Sequence, residues 1–118
     1  MKIEGQGFLL RVFLGEEDRW AGKPLHVAVV ERARREGLAG ATVLRGLLGF
    51  GASSRLHTTH VLRLSDDLPM IVEIVDREDR IRAFLPALDE MVRDGMVTLE
   101  RVEVVTYRAG GAGEARKG

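Results

Sequence analysis

Between Asp76 and Gly95 the apolar residues Ile81, Phe84, Leu85, Leu88, Met91 and Val92 recur at steps of three, four, seven, ten and eleven from the first. At 3.6 residues per turn such a stripe lies along one side of a helix, and that side has to be buried against another element. Segments of strand character surround it. Phe8 to Leu14 (FLLRVFL) is short and apolar, Ala41 to Gly51 (ATVLRGLLGFG) is β-rich but broken by glycines, and Leu68 to Val75 (LPMIVEIV) is a nearly continuous apolar run. The last stretch, after Gly95, has Val97 and Leu99 in one phase and Val102 and Val104 in the other. A second helical pattern, Leu25, Ala28, Val29 and Ala33, begins after Pro24 and stops before Gly37, the punctuation expected at the two ends of a helix. The order is therefore β-α-β-β-α-β. It predicts an α+β fold of the split β-α-β kind, a four-stranded antiparallel sheet with two helices on one face.

Several local details follow from the same reading. Asp76 is expected to cap the second helix by accepting from the backbone N–H of Glu78 or Asp79. Pro86 lies inside the stripe and removes one helical hydrogen bond, so a kink near Arg82 is expected. The two phases of the last strand would be reconciled by a bulge near Glu100 or Arg101. Val61 to Leu64 extends the arm of the central hairpin. The tail AGGAGEARKG has no core-forming residue, which predicts an ordered core over about residues 7–108 and a mobile end at 109–118.

A chain of 118 residues can bury roughly two-thirds of its extended surface, enough for one core and not for two, so residues 1–118 are read as a single domain. Lys and Arg number 18, as do Asp and Glu, and this zero net charge gives no field for a nucleic-acid backbone. No apolar run approaches the roughly 20 residues needed to cross a bilayer, so no direct membrane insertion is expected. MKIEGQGFLL lacks the pattern of a signal peptide, and cysteine is absent, which together point to the cytoplasm.

Few residues suggest chemistry. His57 and His60 form an HxxH pair in a polar loop, short of the three or four ligands a metal needs, and no metal is predicted. The carboxylates of GEEDRW and DREDR are interleaved with Arg19, Arg77 and Arg80, as on a solvated charged face. Ser53 and Ser54 lack a GxSxG setting, so no nucleophile elbow and no catalytic residue is indicated. Gly46, Gly49 and Gly51, followed by Ala52, Ser53, Ser54 and Arg55, allow two readings. Exposed N–H groups, hydroxyls and a guanidinium could form an anion-binding nest, or the glycines could serve only the bends of a hairpin. Composition does not choose between them.

A family resemblance does. GLAGATVLRGLLGFG (37–51) resembles the corresponding segment of the PII signal-transduction proteins, which ends in the same GFG. LPMIVEIV resembles the PII third strand, and GMVTLERVEVVTYRAGGAGEA resembles the last strand and C-terminal loop. The combination of GEEDRW, GKPL, REGLAGATVLRG, GFGAS and LPMIVEIVD is closer still to the PII-like family known as domain of unknown function 190. The resemblance extends over nearly the whole chain. It implies a ferredoxin-like fold, a homotrimer, and an adenine nucleotide in each cleft between subunits, with no further cofactor. Gly40, Ala41 and Thr42 match the positions that receive adenine. Gly49, Phe50 and Gly51 match the loop base at the phosphates, Ser53 a glutamine beside them, and Arg108 an arginine at the end of the last strand.

Two PII lysines are missing, their positions falling at Met96 and near Ile71. Without these cations AMP or ADP is favoured over ATP, since each lost charge-assisted bond costs roughly 1.5 to 3 kcal/mol. The loop lacks tyrosine, which argues against tyrosine uridylylation. The expected mechanism is regulatory: nucleotide orders the loop Ala52 to His60, including Ser54, Arg55 and His57, and so controls docking of a target protein, with a membrane transporter as one implied target. The alternative is a metal-responsive trimer, like the copper-tolerance proteins of the same fold, that uses His57 and His60.

Overall fold

The computed structural model describes residues 4–50 and 67–110. Its main sheet is built from Gly5–Gly15 (β1), Thr42–Arg45 (β4), Pro69–Asp76 (β5) and Met96–Val104 (β6), in the order β4-β5-β1-β6 with every neighbouring pair antiparallel. The helices are Leu25–Arg35 (α1) and Glu78–Met91 (α2). Because side chains alternate across a strand, Phe8, Leu10, Val12 and Leu14 of β1 and Met70, Val72 and Ile74 of β5 fall on one face, and all are buried. Leu25, Ala28, Val29 and Ala33 of α1 and Ile81, Phe84, Ala87, Leu88 and Met91 of α2 complete this core. The two stripes read from the sequence are thus the two helical contributions to one layer against the sheet.

α1 ends as its sequence directs. Gly37 has φ +78°, the N–H of Leu38 donates to the Ala33 carbonyl and that of Gly37 to the Arg34 carbonyl, the paired bonds of a Schellman termination. Leu38 then packs on the core. A short hairpin precedes α1, made of Arg19–Trp20 (β2) and Lys23–Pro24 (β3). Its central residues Ala21 and Gly22 have φ +50° and +84°, the pair of positive values that a two-residue type I′ turn requires. The hairpin was absent from the sequence-based order, because two residues per strand are too few to show a period. It brings Trp20 onto the core, and the N–H of Leu25 donates to the Asp18 carbonyl at the start of the helix.

Three expectations are corrected. The second strand stops at Arg45 and does not continue through the glycines to Gly51. The N–H of Gly46 still donates to the Pro69 carbonyl at 2.7 Å, but a Cβ at Gly46 would stand 2.6 Å from Pro69 Cγ, so the chain passes too close to that ring for a side chain. β6 contains no bulge: its register with β1 is unbroken from Phe13↔Met96 to Gly5↔Val104. Its apolar residues change phase because they serve two faces. Val97 and Leu99 lie beside Val12 and Leu10 on the helix side, while the methyls of Val102 and Val104 lie over Gly7 on the other. Finally, Asp76 does not cap α2; Arg77 occupies the N-cap position, without a side-chain bond, and Asp76 is the buried last residue of β5. Pro86 sits within α2 on its exposed side. Val61 to Leu64 and residues 111–118 lie outside the described residues.

Candidate functional site

The sequence nominated two groups of residues, and β4 separates them. Gly40, Ala41 and Thr42 lead into the strand and are exposed; Gly49 and Phe50 follow it and are also exposed, with Gly49 against the Pro69 ring. A strand of four residues holds these groups roughly 13 Å apart. Gly51, Ala52, Ser53, Ser54, Arg55, His57 and His60 lie outside the described residues. Arg108 is exposed, four residues beyond the end of β6. Among the described residues, no group of three or more His, Asp or Glu side chains is placed to hold a metal ion.

The segment before β4 is held by a network that sequence reasoning missed. Asp76 is wholly buried, and its carboxylate accepts from the N–H of Ala39 at 2.9 Å, from the N–H of Arg77 at 2.7 Å and from Arg80 Nε at 3.3 Å. The same guanidinium donates through its terminal nitrogen to the Gly37 carbonyl. On the other side, the hydroxyl of Tyr107 donates to the Ala39 carbonyl at 2.8 Å, and the Tyr107 N–H donates to the Glu4 carboxylate at 3.0 Å. A buried carboxylate is costly unless its oxygens are bonded, so the three donors account for its presence at the sheet end. The i, i+4 pair Asp76 and Arg80 at a strand-to-helix junction was the one available signal in the sequence.

At the other end of β4, Arg45 pairs with Glu16 and the N–H of Glu17 donates to Asp67 at 2.8 Å. These contacts join the strand and the start of β5 to the corner after β1. The remaining charges are surface pairs. Asp79 is held below the usual carboxylate range by its hydrogen bond from Arg77, and Glu31 by its bond from Lys23. The Phe8 ring is flanked by the guanidinium groups of Arg82 and Arg101, at 5.3 and 5.0 Å from its centroid. An open cleft of about 460 Å³, lined by Gly5, Gln6, Arg101, Val102 and Glu103, lies at the same end of the sheet, on its β6 side.

The face of the sheet away from the helices carries Leu44, Ile71, Phe13 and Met96 in one row across all four strands. Beside that row the guanidinium of Arg11 bonds Glu73 and Glu100, each at 2.9 Å. Its hydrogen bond to Glu73 raises the Arg11 pKa above the ordinary guanidinium value. Met96 and Ile71, at and near which the resemblance implies two missing lysines, are both in this row. Leu44 and Met96 are 45% and 53% exposed, which leaves a hydrophobic face without a described element over it.

The family model DUF190, described as Uncharacterized ACR, matches residues 7–104. A UPF0166 protein from Aquifex aeolicus (strain VF5) is 39% identical over 97 residues, which cover 82% of this chain and 91% of the relative. Among solved structures, a protein from Thermus thermophilus described as PII-like and signaling superposes with a TM-score of 0.61 at 18% identity, covering 89% of this chain and 94% of that one. The CPII protein of Thiomonas intermedia K12, bound to ADP and bicarbonate, superposes with a TM-score of 0.56 at 17% identity, covering 86% and 90%. These likenesses show a PII-like, ferredoxin-type fold.

Proposed function

This chain belongs to the DUF190 family, and from that premise we propose that it is a PII-like regulatory protein and not an enzyme. It binds ADP or AMP between the subunits of a homotrimer in the cytoplasm and controls a partner protein through the loop at 52–60. The observation that carries the reading is the fold shared with an ADP-bound protein over 86% of this chain, together with the exposed Gly40–Thr42 segment that follows the doubly bonded Ala39. The uncovered sheet face has the apolar character of a surface that another copy would cover, which supports a site shared between subunits.

The ligand preference rests on charge. Neither Met96 nor Ile71 supplies a cation, and Arg108 is the guanidinium that this reading assigns to the ligand. The γ-phosphate of ATP would add charge without adding partners from these positions.

Isothermal titration of the purified protein with AMP, ADP, ATP and cyclic nucleotides, with light scattering on the same sample, tests the reading. The expected result is a trimer that binds ADP or AMP more tightly than ATP, and that loses about tenfold or more in affinity on Arg108→Ala, the worth of one charge-assisted bond. A protein that binds no adenine nucleotide would overturn it.

A further inference from the structure

Beyond Val104 the chain leaves β6 and crosses the end of the sheet, and two hydrogen bonds, both made by Tyr107, mark its path. The Tyr107 N–H donates to the Glu4 carboxylate at 3.0 Å, just ahead of β1. The Tyr107 hydroxyl donates to the Ala39 carbonyl at 2.8 Å, ahead of β4. In the order β4-β5-β1-β6 the first anchor is beside the strand next to β6 and the second is at the opposite edge. Three strand spacings, about 14 Å, separate those edges, a distance that residues 105–107 and an extended tyrosine side chain can span. Little else holds this segment. Residues 105–110 are all exposed, with Val105 at 82% and Tyr107 at 42%. Among the described residues, no other hydrogen bond outside the strand ladders reaches 105–110.

We propose that residues 105–110 form a strap with two states, closed across the sheet end by Tyr107 or released from it, and that its release and the loosening of Ala39 are one event. A segment fixed by hydrogen bonds, with no apolar burial behind them, belongs to the least stable part of a fold, because each such bond is worth little net of water. Two anchors on one residue also act together. While one holds, the other is kept at bonding distance; once either is lost, the second has to close against the conformational freedom of the whole segment. A loss at Glu4 is therefore felt at Ala39, although Glu4 makes no bond to it. Ala39 keeps its N–H bond to Asp76, the last residue of β5, so release frees its carbonyl and leaves the segment between α1 and β4 held on one side instead of two. The strap is thus a physical link between the chain beyond β6 and the segment ahead of β4. By the reciprocity of linkage, a partner that displaces either one shifts the other. The inference requires no ligand and stands apart from the nucleotide reading above.

Glu4→Ala removes one anchor and Tyr107→Phe the other, each at an exposed position outside the core. The full-length wild type, both variants and the double variant are compared by amide hydrogen exchange, by the rate of tryptic cleavage after Arg108 and by thermal melting. The expected result is a wild type cut slowly after Arg108. In Glu4→Ala, exchange at Ala39 and cleavage after Arg108 should both rise about fivefold, the worth of one hydrogen bond, with little change in melting temperature. Tyr107→Phe should give a similar rise, and the double variant less than the product of the two, since both losses release the same strap. A rise confined to residue 107 in Glu4→Ala, with Ala39 unmoved, would show two independent bonds and overturn the proposal. Multiplicative effects in the double variant would do the same, as would a wild type cut after Arg108 as fast as an unfolded peptide. A rise shared by the amides of β1 and β5 would be the mark of global opening and would equally sink the strap.

Discussion

Pro69 and Gly46 show how a single atom constrains the turn out of β4. The Pro69 ring occupies the space where a Cβ at position 46 would go, 2.6 Å from its Cγ, and the Gly46 N–H is bonded to the same residue's carbonyl. Neither group can retreat without breaking that bond or moving the first residue of β5. Gly46→Ala is therefore expected to lower stability by about 1 to 3 kcal/mol, the usual cost of overpacking, read as a lower urea midpoint with an unchanged slope. An unchanged midpoint would mean that the loop ends yield freely. Asp76 makes the complementary point for polar atoms. Its burial would be unfavourable if the carboxylate were alone, and three donors from two segments make it a junction between β5 and the loop before β4.

At the scale of elements, α2 gains from the charges of its first turn. Glu78 and Asp79 lie at the positive end of the helix dipole, and Arg77 bonds Asp79 with both Nε and its terminal nitrogen. The Arg77 bond, ahead of the weaker Coulombic and backbone contributions, lowers the Asp79 pKa. A carboxyl whose pKa is lower in the folded chain stabilises it above the unfolded value, and that contribution is lost as pH falls through the folded value. Asp79→Asn should therefore melt slightly below the wild type at pH 7, the two curves converging as pH falls below about 4. Because the pair is exposed, the gap should also shrink in high salt. A gap that persists at low pH would assign it to helix propensity and not to charge. β6 illustrates a different balance, in which one strand serves the helix layer with Val97 and Leu99 and the open face with Val102 and Val104, without an irregularity in its pairing.

For the whole molecule, the asymmetry of the sheet matters most. One face is closed by two helices; the other carries Leu44, Ile71, Phe13 and Met96 beside the Arg11, Glu73 and Glu100 triplet. In the proposed trimer this face is covered by neighbouring copies, and the triplet carries most of its own charge compensation into the interface. Leu44→Glu adds a charge at a half-exposed position, where the isolated fold loses little. The expected outcome is a monomer by light scattering with an unchanged circular dichroism spectrum. A trimer that survives the substitution would move the subunit contact elsewhere, and a wild type that is monomeric would remove it altogether.

Local patterns were enough to read the order of the core elements, the residues of the two helical stripes and the glycine that ends α1. Each is specified by residues within a few positions of one another, through 3.6-residue and two-residue periods and the stereochemistry of a positive φ. The family resemblance was enough to anticipate the fold. Neither revealed the β2–β3 hairpin, the end of β4 at Arg45, the unbroken register of β6 or the role of Asp76, and neither joined Tyr107 to Ala39. Those features are settled by the folded chain, because a carboxylate at a strand end or a hydroxyl near the C-terminus has many local possibilities, and the sheet order selects the partner. With β5 beside β4 and β6 at the far edge, chain segments separated by 37 and 68 residues converge on one residue, Ala39, a coincidence of topology that no local pattern encodes.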